Sequence, residues 1–376
     1  MIAANTKIFT RLAKELPDLA ATLQVTGRAI GTNAYEKKWL KEVKFRTPAT
    51  LRVAGPMFFA IAEYGERTYV LAVGIELTDI PDDLLPIVVN AGLLTAALAE
   101  IDVPITRSTT TNAQLAENIF FPTEDAYVEY EAAEVAKYFY TLQAFEVAPE
   151  SSLLTATDLD DRIGLAAVLG APKISYVAWN AGARANLAAM ARDPMIAPPF
   201  HLLIRALTEN RNDAAFLSLY RCIEQLFPFP KIERLRDQMG ITMASLETAQ
   251  MIETVLGWRN KEDSAMTELF QCVNATCTTQ LALCMGIDKS ISASGDENGS
   301  LGRRVARRLY DIRNQSVHYR PIHHAEGAVT PEQWIDLLEL VSSCVSDMYK
   351  HFTPAIRGNQ VGAGNWTGSV TTANSN

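Results

Sequence analysis

Cysteine is scarce in this chain: Cys222, Cys272, Cys277, Cys284 and Cys344 are all that 376 residues contain. Their number is odd and no two stand at C-x-x-C spacing, which argues against a disulfide scaffold and against a zinc site. Four of them fall in apolar helical patterns, where a free thiol packs as a small hydrophobe. A reducing cytoplasm is the compartment this predicts. Positive charge is also in deficit, with 34 Lys and Arg against 43 Asp and Glu, a net of −9. That disfavours a nucleic-acid binder working by overall basicity and leaves room only for a local basic stripe. Long apolar runs are missing as well. The most apolar stretch, Leu84 to Ala99, is interrupted by Pro86, Asn90 and Gly92 and falls short of the roughly 20 residues a membrane span needs; it predicts a buried helix. The opening residues 1–7 lack the basic start and apolar run of a secretory signal, so no membrane partner is expected.

The common catalytic fingerprints are absent too. There is no G-x-x-x-x-G-K-[ST], H-E-x-x-H, G-x-S-x-G or dinucleotide-binding motif, and hence no cofactor is expected. Histidines number five. His201 follows a Pro-Pro pair and His351 lies near the end of a helical pattern, while His318, His323 and His324 cluster beside the densest arginine group. Carboxylate and cysteine partners for a metal are not evident around His323 and His324, and no metal ligands are assigned.

What is present is a globular composition, 48% hydrophobic and 20% charged, in a chain long enough for two domains. Ile8, Leu12, Leu16, Leu19 and Leu23 predict helix over 6–24, bent or divided at Pro17. Residues 57–61 and 68–73 flank the turn-like 64–67 and predict a β-hairpin, with a further strand at 127–130. Residues 1–155 therefore read as an α+β domain, a candidate for sensing or regulation by a ligand or protein, joined by a connecting segment over 156–199. Between Asn112 and Asp161 eleven acids face Lys137 alone. Such a run is a solvated acidic face or a surface that meets a basic one.

From about residue 200 the periodicity is wholly helical. Phe216, Leu219, Tyr220, Ile223 and Leu226 form one stripe, stopped by Pro228 and Pro230. Further helices are predicted over 244–258, over 264–285 with Gly286 as C-cap, and over 303–319. The polar, glycine-rich 286–302 reads as a mobile loop. Thr330-Pro331-Glu332-Gln333 is a capping box with proline at the first helical position, opening a helix to about Phe352. Residues 356–376 are too polar to pack and predict a disordered tail.

The chemistry concentrates in residues 303–320, which hold six arginines and one aspartate. On a helix Val305, Leu309, Ile312 and Ser316 make the inward stripe, leaving Arg303, Arg304, Arg307 and Arg308 to the sides and solvent. The run 309–318, reading Leu-Tyr-Asp-Ile-Arg-Asn-Gln-Ser-Val-His, together with the upstream helix 216–227 and its embedded Glu224, resembles the HEPN superfamily, in particular its Apea-like bacterial members. The resemblance covers residues 200–355. It implies an all-α HEPN-like helical bundle, commonly a homodimer, whose catalytic members cleave RNA without a metal. By that resemblance Arg313, Asn314 and His318 are the catalytic set of an Arg-Asn-x-x-x-His motif, Arg304, Arg307, Arg308 and Arg320 bind RNA, and Glu224 supports the site. A toxin-like or antiviral defence effector is the biological role it suggests. The residue types fit on their own terms: histidine exchanges protons near neutral pH, and arginine offers phosphate a rigid fork of donors. Two other readings stand beside it. One is a non-catalytic HEPN module that binds nucleotide, nucleic acid or a protein. In the other, Arg313 forms a structural ion pair with Glu224 or another acid, and His318 caps a helix C-terminus.

Overall fold

The computed structural model describes residues 1–17, 23–106, 109–121, 125–155, 158–256, 262–287, 297–317 and 329–357. The chain divides into two compact units: residues 1–178, 187–194 and 203–211 form the first, and residues 179–186, 195–202 and 212 onward the second. An α+β region is thus followed by an all-helical one.

The first unit contains α1 (Ile2–Ala13), β1 (Arg28–Ile30), α2 (Ala34–Glu42), β2 (Lys44–Ala54), β3 (Met57–Tyr64), β4 (Arg67–Val73), β5 (Leu84–Ile87), α3 (Ala91–Glu100), α4 (Thr109–Asn118), β6 (Val128–Tyr130), α5 (Ala132–Ala136), β7 (Leu142–Val147) and α6 (Leu159–Leu169). The β3–β4 hairpin forms as expected and closes at Tyr64↔Arg67. Gly65 takes φ +63° and Glu66 does not turn positive, the glycine-first requirement of a type II′ turn. An antiparallel sheet of order β2-β3-β4-β7-β5 grows from this hairpin, while β1 and β6 pair in parallel. The core lies between the sheet and α1 and α3, with Ile8, Phe9 and Leu12 fully buried.

Residues 84–99 do not form a single buried helix. Leu84–Ile87 is the edge strand β5, where Pro86 sits without harm because an edge leaves N–H groups outside the ladder. The helix starts only after Asn90, whose Oδ1 accepts from Leu93 N–H at 2.9 Å. From there Ala91 to Ala99 are buried all round, as an evenly apolar helix must be. Gly92 is required at the α2–α3 crossing, because a Cβ there would stand 1.9 Å from the Glu36 carbonyl oxygen. At the amino terminus the helix ends at Ala13, and residues 18–22 lie outside the described ones.

The stretch 156–199, read as a connection, holds α6 and α7 (Ala181–Arg192). Arg162 on α6 is fully buried. Its Nε donates to Asp158 at 2.6 Å, and its Nη1 donates to the carbonyls of Met190, Ala191 and Asp193 at 3.2, 2.9 and 2.8 Å. One guanidinium thus satisfies carbonyls left open at a helix C-terminus. The acidic run is already partly compensated within this unit. Glu146 takes Arg67, Asp160 takes Arg46 and Asp158 takes Arg162, so it is not an uninterrupted acidic face.

After α8 (Phe200–Thr208), the second unit builds on α9 (Asn212–Glu224), α10 (Phe229–Met239), α11 (Ser245–Leu256), α12 (Glu262–Leu269), α13 (Ala275–Cys284), α14 (Glu297–Val317) and α15 (Pro331–Arg357). Both α7 and α8 contribute residues to each unit. Residues 264–285 prove to be two helices. Asn274 breaks the run: its Oδ1 caps Thr276 N–H at 2.8 Å and its own N–H donates to Asp347 at 3.1 Å. Gly286 does take the left-handed conformation, φ +66°. Helix α14 starts at Glu297 rather than Arg303, so part of the expected loop is helical, and residues 288–296 lie outside the described ones. The capping box before α15 is formed in both directions, 2.9 and 3.3 Å between Thr330 and Gln333. That helix passes Phe352 and continues through Pro354 to Arg357. The tail beyond 357 lies outside the described residues.

Candidate functional site

In the second unit α14 lays Val305, Ala306, Leu309 and Ile312 into the core. Ser316, expected inward, is half-buried and donates to the Ile312 carbonyl at 2.9 Å. Arg303 and Arg307 are exposed, while Arg304 and Arg308 are half-buried. A helix turns about 100° per residue, so Arg308 and Arg313 point about 140° apart and Arg304 stands on the far side of the axis from Arg313. A single straight phosphate tract does not meet all of these arginines.

Arg313 lies at the border of the buried stripe, and α9 delivers Glu224 to it. The guanidinium approaches Glu224 Oε1 through Nε at 3.3 Å and Nη2 at 3.2 Å, and its Nη1 donates to Asn314 Oδ1 at 3.0 Å. The Arg313 and Glu224 side chains are 23% and 29% exposed. Each is withdrawn from bulk water yet reachable. Three of the five guanidinium N–H groups are thus engaged and two remain for a further acceptor among the described residues. The structure therefore brings together Glu224, Arg313 and Asn314. His318 and Arg320 lie outside the described residues, as do His323 and His324. Among the described residues no group of three or more His, Cys, Asp or Glu side chains is arranged to hold a metal, and no helix is long and apolar enough to cross a membrane. The five cysteines are free. Burial pushes the Cys222 thiol up and that of Cys272 up to about 12, so neither offers a thiolate nucleophile at neutral pH.

A second constellation, in the first unit, was not legible in the sequence. A cleft of about 690 Å³ is lined by Tyr35, Trp39, Tyr64, Arg67, Tyr69 and Glu146 among others. The register explains the grouping: Tyr64 opposes Arg67 and Tyr69 opposes Glu146, so these side chains share one face of the sheet. Trp39 covers them from α2, stacked on Tyr64 with ring centroids 3.9 Å apart and edge-on to Tyr69 at 5.1 Å. Burial is the main force raising the Tyr69 phenol above its ordinary range, aided by the Glu146 carboxylate and opposed by Arg67. These residues are too scattered along the chain to form a motif, and only strand pairing assembles them. Comparison with protein-family models, with curated proteins and with solved structures finds no match to this chain.

Proposed function

We propose that the helical unit is a metal-independent endoribonuclease of the HEPN type, acting through Arg313, Asn314 and His318. The observation that carries this reading is the position of Arg313: half-buried, oriented by Glu224 and Asn314, with donors left over, five residues before His318. In the reaction the ribose 2′-oxygen loses its proton and bonds to the adjacent phosphorus, and the bond from phosphorus to the 5′-oxygen breaks as that oxygen is protonated. Arg313 stabilises the charge gathered on the non-bridging oxygens. Glu224 and Asn314 hold its guanidinium plane, a preorganisation that lowers the cost of orienting it in the transition state. His318 takes one of the two proton transfers. A homodimer presenting two motifs to one groove supplies the other, with Arg320 nearest to it in sequence and Arg304, Arg307 and Arg308, on other sides of α14, left to phosphates outside that groove. A toxin-like or defence role follows for such a nuclease.

The second reading is a non-catalytic HEPN module that binds nucleotide, nucleic acid or protein. The pairing of Arg313 with Glu224 favours it, because that contact also serves as a plain structural tie between helices. Incubating the purified chain with mixed RNA in excess EDTA, beside His318→Ala, separates the two. Cleavage by wild type and its loss in the variant supports the nuclease. A wild-type chain that leaves RNA intact while still retaining it on a filter supports the module.

A further inference from the structure

Two of the five thiols face each other inside the helical unit, and the nuclease reading makes no use of them. Cys277 lies on α13 and Cys344 on α15, and their sulfurs are 3.6 Å apart. In a disulfide the sulfurs are about 2.05 Å apart, so bond formation needs an approach of about 1.5 Å, shared between two side chains. The two residues are 67 positions apart in the chain, and only the packing of α13 on α15 brings them together.

Their surroundings give the two sulfurs different parts. Cys277 Sγ donates to the Leu340 carbonyl oxygen at 3.5 Å. With that hydrogen committed, the contact between the sulfurs is Cys344 donating to Cys277. The same donation is the main force lowering the Cys277 thiol below its ordinary range. Burial opposes it, Ser343 adds to it, and Asp347 and Glu339 oppose it. Cys277 is also the third residue of α13 after the Asn274 cap, where the helix dipole favours a negative sulfur. The Cys344 thiol is held well above its ordinary range, by its donation to Cys277 first and by burial second. Cys277 is 5% exposed and Cys344 is fully buried, so an oxidant meets Cys277 first, and only a small one reaches it. Burial raises the thiols of Cys222, Cys272 and Cys284, which keeps those three protonated and slow to react.

We propose that Cys277 and Cys344 are a peroxide-sensitive dithiol, in which Cys277 attacks the oxidant, Cys344 resolves the product, and the resulting disulfide reversibly staples α13 to α15. In the first step the Cys277 sulfur bonds to one peroxide oxygen and the O–O bond breaks. The departing oxygen takes up the thiol proton and leaves as water, and Cys277 is oxidised to the sulfenic acid. In the second step the Cys344 sulfur bonds to the Cys277 sulfur, the S–O bond breaks, and the hydroxyl leaves with the Cys344 proton as a second water. Two thiols and one peroxide thus give one disulfide and two waters. The bond closes a loop that contains all of α14, and closing a long loop removes freedom from the unfolded chain. The inference does not depend on the nuclease reading, since it concerns other residues and is read without RNA cleavage.

The test treats the full chain, reduced and then freed of reductant, with hydrogen peroxide near stoichiometry, followed by alkylation and digestion without reductant. Mass spectrometry should find the peptide of Cys277 joined to that of Cys344 as the first oxidation product, and a dithiol reductant should separate them. The oxidised chain should melt higher than the reduced one by roughly 5 °C or more. In Cys344→Ala the reaction should stop at the Cys277 sulfenic acid, trapped as the adduct of a cyclic diketone. In Cys277→Ala, Cys344 should stay reduced under the same treatment. Four results overturn the inference: both residues still alkylated as free thiols after peroxide, a first link between another pair, trapping at Cys344 in place of Cys277, or an oxidised chain that melts no higher than the reduced one. If a variant fails to fold, the wild-type peptide map still decides, because it needs no substitution.

Discussion

Replacing Arg313 by Met and Glu224 by Gln, singly and together, separates a structural ion pair from a catalytic arginine. At 3.2 Å the bare attraction between the two charges is about 5 kcal/mol at an effective dielectric of about 20. Desolvation, side-chain ordering and the partial exposure of both groups cancel most of that, leaving a net value of about 1–2 kcal/mol. Arg313→Met keeps an apolar stem on α14 and removes a cation from beside the Glu224 carboxylate at the end of α9, where the helix dipole also opposes negative charge. It should cost about 2 kcal/mol in urea unfolding. Glu224→Gln removes the charge, keeps an acceptor oxygen and should cost about 1 kcal/mol. The double variant removes both charges of the pair, and should be more stable than the sum of the singles by about 1 kcal/mol.

Activity should divide differently. Arg313→Met alone and in the double variant should lose cleavage by on the order of a thousandfold, since the lost donors meet charge that develops on phosphorus. Glu224→Gln should stay within about tenfold of wild type, because an orienting acceptor remains. Glu224→Gln thus adds little further loss of stability once Arg313 is gone, and activity stays lost. A double variant that cleaves RNA at the wild-type rate refutes the catalytic assignment of Arg313 and leaves it as a tie between α9 and α14.

Arg162→Met should destabilise the first unit by about 2–3 kcal/mol, because it removes a donor from the carbonyls of the buried Met190 and Ala191 and takes the cation from the partly exposed Asp158; a thermal midpoint within one degree of wild type contradicts the capping account. Burial holds the Glu233 carboxyl above its ordinary range, with Asp237 adding to the rise and His351 and Arg236 opposing it. A carboxyl raised in the folded state binds its proton more tightly there, so its contribution is full in acid and lost as pH rises through the folded value. Glu233→Gln should therefore be more stable than wild type at neutral pH, with the gap closing in acid; urea titrations in which the gap widens in acid reverse the sign and refute it. Light scattering should show a homodimer, and a monomer that cleaves RNA at full rate removes the need for a shared groove.

Local physics made part of this molecule readable in advance. The hairpin at 57–73 and the capping box at Thr330 depend on neighbours within a few residues, and both are formed. Helix starts inside apolar stretches were less legible: Asn90 interrupts one such stretch and caps α3 rather than lying within a single helix, and Asn274 caps α13 within a run whose periodicity predicts one helix. The inward stripe of α14 was legible from periodicity because Val305, Leu309 and Ile312 recur at helical spacing. The same 100° step that buries Leu309 turns Arg304 away from Arg313.

Charge counts along a sequence fail for a related reason. Glu146 meets a cation 79 residues away and Asp160 one 114 residues away, so the acidic run loses part of its negative charge to partners that no local window contains. The pairs Arg313–Glu224 and Arg67–Glu146 then show why pairing alone does not assign a role. In the first, Glu224 engages Nε and Nη2 of a half-buried arginine whose guanidinium has N–H groups beyond that contact, the arrangement the nuclease reading requires. In the second, Arg67 is 62% exposed and holds both oxygens of a nearly buried Glu146, so the cation neutralises an acid beneath aromatic rings. The first arrangement favours an anionic ligand at Arg313. The second neutralises Glu146, one of the carboxylates that line the cleft.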